Sequence, residues 1–248
     1  MDFLNKIYNE DCIETMKRIP DGSIDLMLTD PPYNTTACEW EYAIDFNKLW
    51  NEWLRIVKPN GAFIFTASQP FTTDLINSNR KIFKYELIWE KPNPSNPLLA
   101  NKQPLKNHEN IIVFYREMPV YNPQKTMRLQ ENKRSQKIRE KGVFVTTGQK
   151  RIIPNADGEY KMPMSVLFFN REQSGYHPTQ KPVDLMRYLI STFTNKSDTV
   201  FDGFMGSGTT AIAAIIEDRN FIGAELKTEY FEIATKRIEL AISQPKLF

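Results

Sequence analysis

The sequence predicts an α/β protein built on a mostly parallel sheet. Three observations carry that prediction. Short apolar runs alternate with segments of helical periodicity along most of the 248 residues, the pattern of strands joined by crossover helices. One run, Ile24-Asp25-Leu26-Met27-Leu28, closes on Thr29-Asp30-Pro31-Pro32-Tyr33-Asn34, and open α/β sheets bind ligands at the carboxyl ends of their strands. Another, Thr199-Val200-Phe201, passes through Asp202-Gly203-Phe204-Met205-Gly206-Ser207-Gly208 into a small-residue helix, the strand, glycine turn and helix of a nucleotide-type site.

Taken in order, Lys6 to Cys12 reads as a short strand ending in acids, and Ile13 to Ile19 as a brief helix stopped by Pro20-Asp21-Gly22. Ile24 to Thr29 is a buried strand. Phe46, Leu49, Trp50, Trp53, Leu54 and Val57 keep helical spacing until Pro59-Asn60-Gly61, so Trp50 and Trp53 are expected in the core and the Pro-Asn-Gly as a turn. Ala62 to Thr66 carries no charge and reads as a central strand, Gln69 to Asn77 as a short helix, and Ile82 to Trp89 and Ile111 to Tyr115 as further strands. Lys91 to Asn110 holds four prolines and five asparagines. It is expected as a long loop, and with Trp89 and Lys91 as a segment that closes over substrate.

After a glycine-marked basic segment, helical periodicity returns at Val183, Leu185, Met186, Leu189, Ile190 and Phe193, with Pro182 near the first turn. Thr199 to Phe201 is a strand, Thr209 to Glu217 a helix, Phe221 to Ala224 a strand ending on Glu225, and Thr228 to Ile242 an amphipathic helix.

The length suits one domain with an insertion. Residues 1–116 and 165–248 form the expected α/β domain, and 117–164 the insertion. Between Lys125 and Arg151 lie nine lysines and arginines against Glu131 and Glu140, a local charge of +7 in a chain of net charge +2. The two cysteines, Cys12 and Cys38, and the two histidines form no zinc-ligand spacing. No basic, apolar, small-residue leader opens the sequence, and no run approaches the roughly 18 apolar residues of a membrane span. The expectation is a soluble cytoplasmic protein without a metal.

Chemistry concentrates in the two motifs. Proline fixes its own φ and lacks an N–H, so Asp30 and the carbonyls around Pro31 and Pro32 form a stiff cluster of acceptors, suited to gripping an amino group. Tyr33 adds a flat face for a planar ring. A plain turn after a strand is the bland alternative. In the second motif Gly206 and Gly208 allow close backbone approach, and Glu225 at the tip of the next strand can accept from ribose hydroxyls. Gly206 to Ala211 also satisfies the dinucleotide pattern, which keeps an NAD-linked enzyme as a competitor. Against it, Asp202 would repel a pyrophosphate and attract an ammonium group. A cationic amino acid joined to a nucleoside suits both acids, and S-adenosylmethionine is such a cofactor.

With both motifs present, the sequence resembles the amino-methyltransferases of DNA. Asp30-Pro31-Pro32-Tyr33 matches their catalytic D-P-P-Y, and Phe201 to Gly208 their cofactor loop. Catalytic motif first and cofactor loop last is the circularly permuted order of the β class. His177-Pro178-Thr179-Gln180-Lys181-Pro182 resembles the family motif before the loop, and Asn9-Glu10-Asp11 stands where members often have Gly-Asp.

The resemblance implies a Rossmann-like, class I S-adenosylmethionine-dependent methyltransferase fold with an inserted recognition region. It implies methylation of the exocyclic N6 of an adenine flipped out of double-stranded DNA. Asp30, Pro31, Pro32 and Tyr33 would be catalytic, with Asp30 also near the cofactor. Asp11 and Cys12 would lie at the cofactor adenine, Glu225 at the ribose, Asp202 at the ammonium, and Phe204, Gly206, Ser207 and Gly208 along the loop. Thr179 and Lys181 would reach the methionine carboxylate. Lys133, Arg134, Lys137 and Arg139 would contact DNA phosphates. His108-Glu109 is given no catalytic part. The resemblance also admits a homodimer and a cognate restriction nuclease as partners. Alternatives are a cytosine-N4 enzyme, a relative acting on RNA or protein glutamine, and a nucleic-acid-binding protein without catalysis.

Overall fold

The computed structural model describes residues 3–33, 45–95, 97–127, 159–172 and 180–243. The chain forms two compact units, one of residues 1–122 and 165–248 and one of residues 123–164. In the described residues the strands are β1 (Lys6–Tyr8), β2 (Ile24–Thr29), β3 (Val57–Ala67), β4 (Phe83–Ser95), β5 (Lys106–Tyr115), β6 (Thr126–Met127), β7 (Tyr160–Lys161), β8 (Val166–Phe168), β9 (Thr199–Asp202) and β10 (Asn220–Ala224). The helices are α1 (Cys12–Lys17), α2 (Phe46–Ile56), α3 (Phe71–Ser78), α4 (Val183–Phe193), α5 (Thr209–Ile216) and α6 (Thr228–Ser243). The smaller unit contributes the antiparallel pair β6–β7.

Eight strands of the larger unit form one sheet in the order β1-β10-β9-β2-β3-β5-β4-β8. All neighbours pair in parallel except β5, which runs against both β3 and β4. The last strands of the chain, β9 and β10, therefore lie between the first two, as the permuted motif order implies.

The sheet is buried on both faces because successive side chains alternate sides. Leu26, Ala62, Ile64, Ile111 and Val113 face Leu185, Leu189, Ile212 and Ile238 of α4, α5 and α6. Met27, Phe63, Phe65, Ile112 and Phe114 face Met16, Trp50, Trp53 and Phe71 of α1, α2 and α3. Trp50 and Trp53 meet edge to face at 5.1 Å inside that second core, as the helical spacing predicts.

Three expectations are corrected. Pro59-Asn60-Gly61 is not a turn between elements but an irregularity within β3, where pairing with β2 jumps from Ile24↔Val57 to Leu26↔Ala62. A Cβ at Gly61 would meet the Asp25 carbonyl at 2.9 Å, so the close approach of the two strands requires glycine. The long loop after Lys91 is half the expected length: β4 runs to Ser95 and β5 starts at Lys106, and the connection between them holds a 3₁₀ turn at Pro97–Leu99. Pro92 and Pro94 are tolerated because the β4–β5 ladder skips from Glu90↔His108 to Ser95↔Lys106 across them. Trp89 is not a closing group either, since its ring is buried and its Nε1 donates to the Phe169 carbonyl at 2.9 Å.

The insertion was expected from residue 117, whereas the smaller unit starts at Pro123. The intervening residues are tied to the larger unit. The Glu117 amide donates to the Pro59 carbonyl at 3.2 Å, and Asn122 Nδ2 to the carbonyls of Ser191 at 3.2 Å and Thr194 at 2.9 Å.

Candidate active site

The winding of the sheet reverses between β9 and β2: the chain leaves β2 toward β3 and leaves β9 toward β10 on the other side. The crevice outside the carboxyl ends at such a point is where these sheets bind ligands. Asp202 ends β9 and Asp30 follows β2 there, and the Thr29 hydroxyl donates to Asp202 Oδ1 at 2.6 Å.

On the β9–β10 side, three acids ring a glycine turn. The Phe204 amide donates to Asp202 Oδ1 at 3.0 Å. Burial raises the Asp202 carboxyl to about 6, although the hydroxyls of Thr210 and Thr29 and the Phe204 amide oppose the rise. The charge of Asp30 pushes in the same direction as burial, so the two carboxylates feel one another. Glu225 receives the Gly206 amide on Oε2 at 2.7 Å and the Lys227 amide on Oε1 at 2.8 Å. Burial raises it too, against those amides. Asp11 caps α1 through the Ile13 amide at 2.8 Å. Beside it, Cys12 is buried, and a Cβ on Gly203 would lie 3.1 Å from its own Cβ. Burial pushes the Cys12 thiol up to about 12, so it packs as an uncharged group.

Gly206 and Gly208 both have positive φ, and a Cβ added at Gly206 would meet nothing within 4 Å. The Asp202 and Glu225 carboxylates beside this turn suit a ligand carrying an ammonium group and ribose hydroxyls. Asn9, which sequence reasoning treated only as a departure from glycine, clamps the region. Its Nδ2 donates to the carbonyls of Glu225 at 2.9 Å and Leu226 at 3.2 Å, and its Oδ1 accepts from Thr228 at 2.8 Å.

On the β2–β3 side, Asp30 is held on both oxygens. The Tyr33 hydroxyl donates to Oδ1 at 2.5 Å, the Thr66 hydroxyl donates to the same atom, and Lys181 Nζ donates to Oδ2 at 2.5 Å. Burial and the neighbouring carboxylates of Asp30 and Glu109 push the Tyr33 phenol well above its ordinary range, which keeps it a donor. Its ring stacks on Phe71 at 5.4 Å, with Lys181 Nζ 5.5 Å from the ring centroid.

Two residues of the motif before the loop therefore work on both sides. Gln180 Oε1 accepts from Ser207 in the glycine turn at 3.3 Å, while Lys181 reaches Asp30. Arg237 of α6 braces the same turn, donating to the Ser207 carbonyl at 2.6 Å. The sequence assigns Lys181 to the cofactor's carboxylate; in the structure its ammonium lies 2.5 Å from Asp30 Oδ2. Thr179 lies outside the described residues, as do Asn34, Lys133, Arg134, Lys137 and Arg139. Thr29, Thr66, Glu109, Gln180 and Arg237 were missed, since their roles depend on strands and helices distant in the chain. Among the described residues, no helix is long and apolar enough to cross a membrane.

A permuted Rossmann-like sheet with acids around an open glycine turn, beside a rigid cluster of acceptors for an amine, defines a group-transfer enzyme with a cationic nucleoside cofactor. A family model described as DNA methylase (N6/N4 methyltransferase) matches residues 24–236, and the chain belongs to that family. Type II methyltransferase M.BglII of Bacillus subtilis is 30% identical over 93% of this chain and 68% of its own length. DNA adenine methyltransferase YhdJ of Escherichia coli (strain K12) is 29% identical over 95% of this chain and 83% of its own. The crystal structure of the M1.HpyAVI–SAM complex matches with a TM-score of 0.61 at 26% identity, covering 94% of this chain and 98% of that one. The class follows: a DNA amino-methyltransferase whose cofactor is S-adenosylmethionine.

Proposed function

We propose that the protein transfers the methyl group of S-adenosylmethionine to the N6 amine of an adenine flipped out of double-stranded DNA, within a specific sequence. The observation that carries this reading is Asp30-Pro31-Pro32-Tyr33, fixed at the reversal point of the sheet and joined to Asp202 through Thr29. An acceptor cluster wants an amine, and the family supplies DNA as its owner. The name of the Escherichia coli relative supports adenine.

Bound S-adenosylmethionine supplies an electrophilic methyl group on sulfur. Asp202 would hold the ammonium end, the Gly206 to Gly208 turn would allow close approach, and Glu225 would accept from the ribose. Asp11 and Cys12 border the adenine, with Phe204 and Ser207 along the loop and Thr179 at the methionine carboxylate. Asp30 and the Pro31 carbonyl accept the two hydrogens of the target amine and raise electron density on its nitrogen; Pro32 keeps the turn stiff and Tyr33 stacks on the base. With the methyl group supplied by the cofactor, Asp30 would take the excess proton of the methylated amine. Most of the acceleration then comes from positioning and fixed dipoles.

The inserted region, residues 117–164 in the sequence reading, serves target recognition, with Lys133, Arg134, Lys137 and Arg139 on phosphates. The type II designation of the Bacillus subtilis relative supports a cognate restriction nuclease as a companion. The same reading makes the protein a cytoplasmic homodimer, which light scattering of the purified chain tests. The decisive experiment is nucleoside digestion of DNA treated with protein and cofactor. N6-methyladenine is expected; N4-methylcytosine overturns the choice of base, and no methylated nucleoside overturns the reading.

A further inference from the structure

Behind Asp30 runs a line of four alternating charges. Lys91 Nζ lies 2.7 Å from Glu109 Oε1, Glu109 Oε2 forms an ion pair without a hydrogen bond to Lys181 Nζ at 3.5 Å, and Lys181 Nζ lies 2.5 Å from Asp30 Oδ2. Both lysine side chains are only 5% exposed, and Glu109 is 16% exposed. Charges are buried at a cost that an apolar set of the same volume avoids, so an interior ion-pair chain is weak evidence of a stabilising device. This one ends on the carboxylate that receives the target amine.

Its geometry suits positioning. Tyr33 and Thr66 fix one oxygen of Asp30, and Lys181 fixes the other and so the plane of the carboxylate. A lysine stem is flexible and its ammonium has no preferred plane, so Lys181 needs a second anchor. Glu109 on β5 provides it, and Lys91 on the adjacent β4 anchors Glu109 in turn. Burial disfavours the Lys181 ammonium, but Asp30 and Glu109 outweigh it and raise its proton affinity; burial likewise disfavours the Glu109 carboxylate, but Lys181 and Lys91 outweigh it and keep it ionised.

We infer that Glu109, anchored by Lys91 and acting through Lys181, is a positioning residue that sets the orientation of Asp30 for methyl transfer. The inference rests on the reading of Asp30 as the group that receives the amine.

Single-turnover transfer of tritiated methyl groups to unmethylated genomic DNA, at saturating S-adenosylmethionine, tests it. Glu109→Gln is expected to slow transfer by about 10- to 100-fold, the scale of a small misplacement of a reacting group, while calorimetric cofactor affinity stays within about twofold. Lys181→Met is expected to slow it at least as much, and the double variant to be no slower than Lys181→Met alone, because the two act as one unit. Should Glu109→Gln fail to bind cofactor at wild-type stoichiometry, Glu109→Asp takes its place. It keeps the charge but shortens the reach, and a several-fold loss of rate is expected. A wild-type rate in the Glu109 variant, multiplicative losses in the double variant, or a Lys181→Met defect confined to cofactor affinity each overturn the inference while leaving the proposed function standing. A wild-type protein that methylates no DNA overturns the functional reading and the inference with it.

Discussion

The Thr29 hydroxyl donates a 2.6 Å hydrogen bond to Asp202 Oδ1, tying the end of β2 to the end of β9 where the sheet reverses its winding. The bond links the strand that presents Asp30 to the strand that presents the glycine turn. Thr29→Val keeps the shape and removes the donor. A hydrogen bond to a charged group is worth about 1.5–3 kcal/mol, so the stability of the folded protein is expected to fall by that order. Because this hydroxyl holds the Asp202 carboxyl down, the pH at which affinity rises should also move upward. Calorimetry across pH 5 to 8 measures both effects.

Asp202 should trade stability for affinity. Its carboxyl is raised from 3.8 to about 6 in the folded protein, mainly by burial. Between those values the folded chain holds a proton that the unfolded chain has released, so this group's contribution is fully present below 3.8 and is lost as pH rises through about 6. The loss is on the order of 3 kcal/mol at neutral pH. Asp202→Asn is therefore expected to raise the thermal midpoint of the cofactor-free protein at pH 7.5 while weakening S-adenosylmethionine, since the ammonium loses its counter-charge. Wild-type affinity should rise as pH passes about 6. Opposite shifts in melting temperature and affinity are the signature, and a variant that binds cofactor like wild type removes Asp202 from the site.

Asp30→Ala separates chemistry from binding. Among the described residues, the hydrogen bonds to Asp30 come from Tyr33, Thr66 and Lys181, and none from the glycine turn. Methyl transfer is expected to drop by about 10²- to 10⁴-fold, the range for loss of a positioned acid or base. Cofactor affinity should stay within about threefold on the same hydrogen-bond argument. Loss of affinity in this variant would count against the assignment.

Gly208→Ala tests the glycine turn as a packing element. Gly208 has φ +86°, and an added Cβ would lie 3.1 Å from the Cβ of Ala234 in α6. Left-handed backbone alone costs an L-residue roughly 1–2 kcal/mol, which lowers the melting temperature by about 2–8 °C in a domain of this size. Differential scanning calorimetry reads the shift, and an unchanged midpoint would show that the turn takes up another backbone conformation without cost.

Neutralising Lys133, Arg134, Lys137 and Arg139 should flatten the salt dependence of DNA binding. If all four meet phosphates, the slope of log affinity against log salt is expected to fall in magnitude by about 3–4. Fluorescence anisotropy between 50 and 200 mM salt, the range over which such contacts are felt, measures it.

Much of this protein could be read in one dimension. Apolar alternation located β2, α4 and α5 almost to the residue, because those segments are bounded by proline, glycine or acid and are buried along their length. Asp30, Asp202 and Glu225 could be picked out together because each stands at or just after the carboxyl end of a strand. The β4–β5 hairpin was legible along Ile82 to Trp89 and Ile111 to Tyr115 but not toward its turn. Its prolines signal a loop, yet the ladder steps around them, and only the pairing partner shows that it does.

The sequence by itself determined the motifs, their order and so the class of chemistry, because those depend on residues close together in the chain. Tertiary structure alone decided what stands beside them. Lys181 lies 151 residues from Asp30 and Thr29 lies 173 from Asp202, and both contacts exist because the late strands insert between the early ones. No local pattern encodes that insertion. It brings Lys181, with Glu109 and Lys91 behind it, to the Asp30 carboxylate.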